Sequence, residues 1–250
     1  MLVLGEDLSC LTNRSSKRSI SMYIDSYYII LVLPAIIFSM YAQSKVNSTF
    51  AKYSHQRTRR GVTGAQAAMA VLRLNGVADV RIERVSGSLT DHYDPKTNVI
   101  RLSDSVYDST SVAAVGVAAH EAGHAVQYAY NYFPIRVRSV IIPITQIGSQ
   151  LATPLIFMGI FFDAFHFVQL GLAAFFLAVV FQLVTLPVEF NASNRAIDAI
   201  AETQILYEDE LPGAQKTLSA AALTYVAALM VALMQFLRLL IRFGGRRDRD

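Results

Sequence analysis

Five consecutive residues carry the clearest chemical signal in the chain: His120-Glu121-Ala122-Gly123-His124. On an α-helix, positions i and i+4 lie on one face, one turn apart. Two imidazoles so placed can both reach one tetrahedral Zn²⁺. Glu121, beside the first histidine, is a carboxylate within reach of a water that the metal activates. A catalytic zinc takes three protein ligands and keeps one position open. The chain must therefore supply a third ligand and a helix to carry the first two.

Cysteine cannot be that ligand. The chain has one, Cys10, far from the motif in sequence. This excludes an intramolecular disulfide and a cysteine-rich zinc site, so the ligands are His, Asp or Glu. The helix is easier to find. Ser109-Thr110-Ser111 offers N-cap residues, and Val112 to Tyr130 runs without proline and rich in alanine. It is apolar on nearly every face apart from the motif, so burial is expected.

Composition then sets the surroundings. The chain of 250 residues is 53% hydrophobic and only 16% charged, with a mean hydropathy of +0.37. Soluble domains run nearer a quarter charged. The apolar residues fall into blocks long enough to span a bilayer. Net charge is +3 and the pI about 9.0, but the basic residues flank the apolar blocks and no nucleic-acid-binding motif is present. The bilayer is the expected partner, and nucleic acid is not.

In chain order, 1–21 is a polar lead, and Met22 is an alternative start. Residues 22–42 form an anchor helix with Pro34 inside, read as uncleaved because no small-residue cleavage site follows. Residues 43–138 form the catalytic region. It holds a helix capped by Thr63 and stopped at Gly76, strands at Val80–Val85 and Val99–Ser103, and the motif helix. Residues 139–188 form an uncharged transmembrane hairpin turning at Asp163 and His166. Pro187 is expected to open a new helix, 189–218 carrying Glu189 in its first turn. A fourth span, 219–243, and a charged tail, 244–250, complete the chain.

This order constrains the third ligand. Two crossings separate Tyr130 from Glu189, so the chain returns to the side it left. Glu189, Asp198 and Glu202 pass that test, whereas Asp163 and His166 belong to the far end. Glu189 is favoured, being nearest the membrane boundary where the apolar motif helix should dock.

Several stretches together carry a resemblance. They are G-x-T-G-A-x-x-A from Gly61, L-T-D-H-Y-D-P from Leu89, V-I-R-L-S from Val99, A-x-H-E-x-G-H-A-x-Q from Ala118, and P-V-E-F-N-A-S-x-R-A from Pro187. With them the chain, from residue 22 onward, resembles the bacterial neutral zinc metallopeptidase family of YugP-type multi-pass membrane proteases. The resemblance implies a gluzincin-like site with His120, His124 and Glu189 as ligands of one zinc ion and Glu121 as general base. More distant membrane proteases of the HtpX and CAAX-processing type often carry an Asp four residues after the ligand Glu. Here Ser193 stands there, and Asn191 or Asn194 is the expected replacement.

The fold expected is a mainly α membrane protein. About four transmembrane helices frame a small α+β zincin-like region between the first and second, with a zinc-ligand helix after the third. The function expected is zinc-dependent hydrolysis of peptide bonds in membrane-associated or misfolded proteins. Arg195 is the candidate donor to the developing oxyanion, with His92 a second. By analogy with zincins, strand Val99–Ser103 pairs with extended substrate. Over the whole chain nine basic residues flank the motif side and eight the other, which is no bias; counted from Met22 the numbers are nine and five, which favours a cytoplasmic site in the cell membrane. Two rivals remain: an intramembrane protease of the site-2 type, and a non-enzymatic zinc-binding scaffold.

Overall fold

A computed structural model describes residues 25–244. The polar lead, Cys10, Met22 and positions 245–250 of the tail lie outside the described residues. Six helices and three strands follow in order. They are α1 (Leu33–Ser54, continuing a π-helical turn at Tyr28–Val32), α2 (Gly64–Leu74), β1 (Arg81–Val85), β2 (His92–Asp94), β3 (Val99–Ser103), α3 (Val112–Ala129), α4 (Phe133–Phe161), α5 (Phe165–Glu202) and α6 (Leu211–Phe243).

Four of these helical stretches are long and apolar enough to cross a membrane: Tyr28–Ser54, Phe133–Phe161, Phe165–Glu202 and Leu211–Phe243. The architecture is mainly α, with the small α+β region inserted between the first and second of them.

The third of these helices departs from the sequence reading. Pro187 opens no new helix, because α5 runs unbroken from Phe165 to Glu202 and carries Pro187 in its interior. Proline removes one backbone donor and clashes with the preceding turn in a soluble helix, but helices packed in a membrane tolerate it. Pro143 and Pro154 sit inside α4 in the same way. Glu189 is therefore not near a helix N-terminus. Its position comes from α5 as a whole.

The sheet has the order β1-β3-β2. β1 pairs with β3 in parallel, Arg81 opposite Val99, and β2 pairs with it antiparallel, Tyr93 opposite Ile100. Val99–Ser103 is thus the central strand and has no free edge for a substrate. The expectation that it would pair with extended substrate is overturned, since the open edges belong to β1 and β2.

The core forms where α2, α3 and the sheet meet the end of α5 and the start of α6 (Ala68, Val71, Leu102, Val115, Ala119, Ile200, Leu218). Helix α3 sits at its centre, buried nearly all round. Its N-terminus is capped by Ser111, whose hydroxyl accepts from the Ala114 amide at 3.2 Å. Thr63 and Gln66 form a reciprocal capping box on α2.

Candidate metal centre

Helix α3 presents His120 and His124 on the face turned toward α5, and Glu189 comes to meet them. The Nε2 atoms of both histidines lie 3.4 Å from Glu189 Oε2. One ligand atom from each residue can be chosen so that all three fall within 4.8 Å of one another. The two imidazoles stand edge to face, their centroids 4.7 Å apart. Glu189 is only 2% exposed.

The other ring nitrogens are engaged. His124 Nδ1 lies 3.0 Å from Gln127 Oε1. The amide of Gln127 donates through Nε2 to the Val188 carbonyl at 2.8 Å and to Asn191 Oδ1 at 3.0 Å. Both partners are acceptors, so the amide orientation is determined and Oε1 is left to accept. His124 Nδ1 must then carry the proton and donate. Its Nε2 points a lone pair toward Glu189 in the neutral ring. His120 Nδ1 contacts Ser193 Oγ at 3.1 Å. Ser193 itself thus takes the supporting place that the sequence assigned to Asn191 or Asn194. Asn191 helps from one step back, through Gln127.

The arrangement fits a divalent cation. Glu189 Oε2 is buried and has no hydrogen-bond partner. An unpaired carboxylate oxygen facing two imidazole nitrogens in a desolvated space is costly without a positive charge between them. Burial alone would lower the pKa of His124. The Glu189 carboxylate beside it and the charge of Glu121 outweigh it, and the pKa is raised. The field that would hold a proton there would also hold a metal ion. Zinc prefers this nitrogen and carboxylate set.

Glu121 points to the sheet. Its Oε2 accepts the backbone N–H of Tyr93 at 2.9 Å. That amide belongs to β2, at an edge of the sheet. Tyr93 is anchored in turn by its hydroxyl to Asn98 Oδ1 at 2.7 Å and by ring contact with Tyr128 on α3. Burial pushes the Tyr93 phenol up to about 12. Asp91, beside it, accepts from the amide and hydroxyl of Ser103. Burial raises its pKa, with Glu121 adding to the shift and the Ser103 hydrogen bonds opposing it.

The remaining candidates are spread out. Arg195 lies on the ligand-supporting side, where its Nε donates to Asn191 Oδ1 at 2.8 Å. His92 is exposed, and its Nδ1 contacts the Thr90 carbonyl at 2.9 Å. Asp163 stands at the turn between α4 and α5, and His166 in the first turn of α5. Asp198 and Glu202 are exposed. One cation escaped the sequence reading as a site residue. Arg138 on α4 brings Nη1 to 3.5 Å from Glu189 Oε1. Nothing local in Arg136-Val137-Arg138 distinguishes it from a membrane-flanking arginine. Gln127 escaped it too, although a polar residue three positions after His124 on a mostly apolar helix is a legible signal.

The family model described as "Putative neutral zinc metallopeptidase" matches residues 28–244. The curated Bacillus subtilis (strain 168) protein named "Putative membrane protease YugP" is 45% identical over 224 residues, which cover 89% of this chain and 99% of that relative. No solved structure matches.

Proposed function

The chain belongs to the neutral zinc metallopeptidase family, and from that premise we propose that it is a zinc-dependent membrane endopeptidase. His120, His124 and Glu189 hold the metal and Glu121 is the general base. The observation that carries this reading is the buried, unpartnered Glu189 Oε2, 3.4 Å from the Nε2 atoms of two histidines.

Bound zinc supplies a Lewis acid that lowers the pKa of a water and polarises the scissile carbonyl. The protein's own groups do the rest. Ser193 and Gln127 orient the two imidazoles. The Tyr93 amide steadies Glu121 through Oε2, which leaves Oε1 to accept a proton from water and return it to the leaving amine. Arg195 is the proposed donor to the oxyanion. Its Nε is taken by Asn191, so its terminal nitrogens would do the reaching.

Depth supports a site at the membrane surface and disfavours the intramembrane alternative. Twenty-four residues of continuous helix separate Phe165 from Glu189. At 1.5 Å per residue that is about 36 Å. The hydrocarbon layer is about 30 Å thick. The substrates are protein segments at or beside the bilayer, in membrane-associated or misfolded proteins. The site faces the cytoplasm of a multi-pass protein.

The test joins metal analysis to proteolysis. Detergent-purified protein should contain one zinc per chain and cleave a membrane-protein substrate. Glu121→Gln should keep the zinc and lose about 10²- to 10⁴-fold in rate, the usual range for a general base. Protein without zinc removes the metal reading. Equal activity in Glu121→Gln removes the mechanism, whereas zinc-loaded wild type that cleaves nothing leaves the non-enzymatic scaffold.

A further inference from the structure

A carboxylate offers two oxygens to a metal. If both bind, they occupy the position a catalytic zinc must keep open. The two oxygens of Glu189 have different neighbours. Oε2 faces His120 and His124, each Nε2 at 3.4 Å, and has no hydrogen-bond partner. Oε1 faces Arg138 Nη1 at 3.5 Å. We propose that Arg138 is a positioning residue: it claims Glu189 Oε1, so that the carboxylate meets the metal through Oε2 alone and the substrate position stays open. This rests on the zinc reading above.

Two further features support it. Arg138 Nε is buried and has no hydrogen-bond partner. A buried, unsatisfied donor is costly, and a guanidinium held under that cost points to a task that outweighs it. The start of α4 is also fastened to the motif helix. The Tyr128 hydroxyl on α3 donates to Ser139 Oγ at 2.7 Å, and the Ser139 hydroxyl donates to the Ile135 carbonyl at 2.8 Å. Arg138 is the neighbour of Ser139, so its guanidinium is carried by a turn already tied to the two histidines. A guanidinium fits because it is always charged and presents its donors in a rigid fork.

The test reads metal geometry as well as rate. Full-length protein in detergent is loaded with Co²⁺, whose visible bands are strong at four ligands and weaken as the coordination number rises. Wild type should show strong bands, Arg138→Met weak ones, and Arg138→Lys should recover them, because Lys keeps a charged donor. Zinc affinity should fall about 10- to 100-fold in Arg138→Met, the usual cost of losing a group that orients a ligand. kcat should drop more than KM changes. Arg138→Gln, which keeps a neutral donor, substitutes if Arg138→Met does not fold, and melting of the metal-free forms controls for folding.

Unchanged bands in the variant overturn the proposal. So does tighter zinc binding, the sign expected if Arg138 only repels the metal. Equal behaviour of Lys and Met variants with unchanged melting also overturns it. Wild-type protein that binds neither Co²⁺ nor Zn²⁺ is a different failure, because it removes the metal reading on which Arg138 depends.

Discussion

Gly123, inside the motif, allows a sharp test of how the centre is built. It lies where α3 crosses α5. A Cβ at this position would stand 2.7 Å from the Ala192 carbonyl oxygen, 3.3 Å from its carbon and 3.4 Å from its Cα. These are backbone atoms, so no rotamer change relieves the clash. Ordinary contact begins at 3.4 Å, and restoring it requires the two helices to part by roughly 0.7 Å. Ala192 lies between Glu189 and Ser193, so the same movement pulls both of them away from the α3 histidines. Metal sites tolerate departures of only about 0.2 Å. Overpacking of this kind costs about 1–3 kcal/mol. In a chain of this size that corresponds to roughly 2–12 °C in melting temperature. Gly148, on α4 against α5, is the control. A Cβ there would meet Leu177 Cδ1 at 3.5 Å and the Ala174 oxygen at 3.6 Å, both ordinary contacts. Gly148→Ala should be neutral or gain up to about 1 kcal/mol from the reduced freedom of the unfolded chain. Melting in detergent and zinc content per chain are the measurements. Equal effects of the two substitutions, or full zinc retention and an unchanged melting point in Gly123→Ala, refute the reasoning.

Gln127→Met keeps the volume but removes the acceptor on His124 Nδ1 and the donor to Val188 and Asn191; zinc affinity, read by competition with a chelator, should fall about 10- to 100-fold. Ser111→Ala removes the cap on α3 and should cost about 0.5–2 kcal/mol in denaturant or thermal unfolding. Asp91 gives a pH dependence. Its folded pKa is raised, chiefly by burial, so the fold favours its protonated form. That contribution is full below the unfolded value of about 3.9 and is lost as pH rises through the folded value. The melting temperature of wild type relative to Asp91→Asn should therefore fall as pH rises through the carboxylate range, and a rise would contradict the assignment.

What the sequence disclosed follows the reach of each signal. The motif helix, its Ser111 cap, the Thr63 cap and β3 depend on neighbours within a few residues, and each is found where local pattern puts it. The apolar blocks are legible because bilayer thickness sets a length any spanning helix must meet. β2 is not legible as a strand: three residues between turns carry too little alternation to register. Pro187 carries the signal of a helix start in a soluble chain, but packed membrane helices relax that rule and α5 runs through it. Arg138 and Ser193 reach the centre only through the crossing of α3, α4 and α5, and no local pattern encodes that crossing.

The unbroken run of α5 has a mechanical consequence. His120 and His124 sit on a helix inside the small α+β core, and Glu189 rides on a rod long and apolar enough to cross a membrane, with Phe165 at its other end. Over the roughly 36 Å from Phe165 to Glu189, a tilt of one degree about the far end displaces the carboxylate by about 0.6 Å. Helices answer changes in bilayer thickness largely by tilting. The close seat of Ala192 on Gly123 and the Gln127 hydrogen bonds resist that lever. In the proposed membrane peptidase the metal centre is therefore joined to the bilayer as a gauge is to its needle, and the thickness of the surrounding lipid becomes a variable in the position of Glu189.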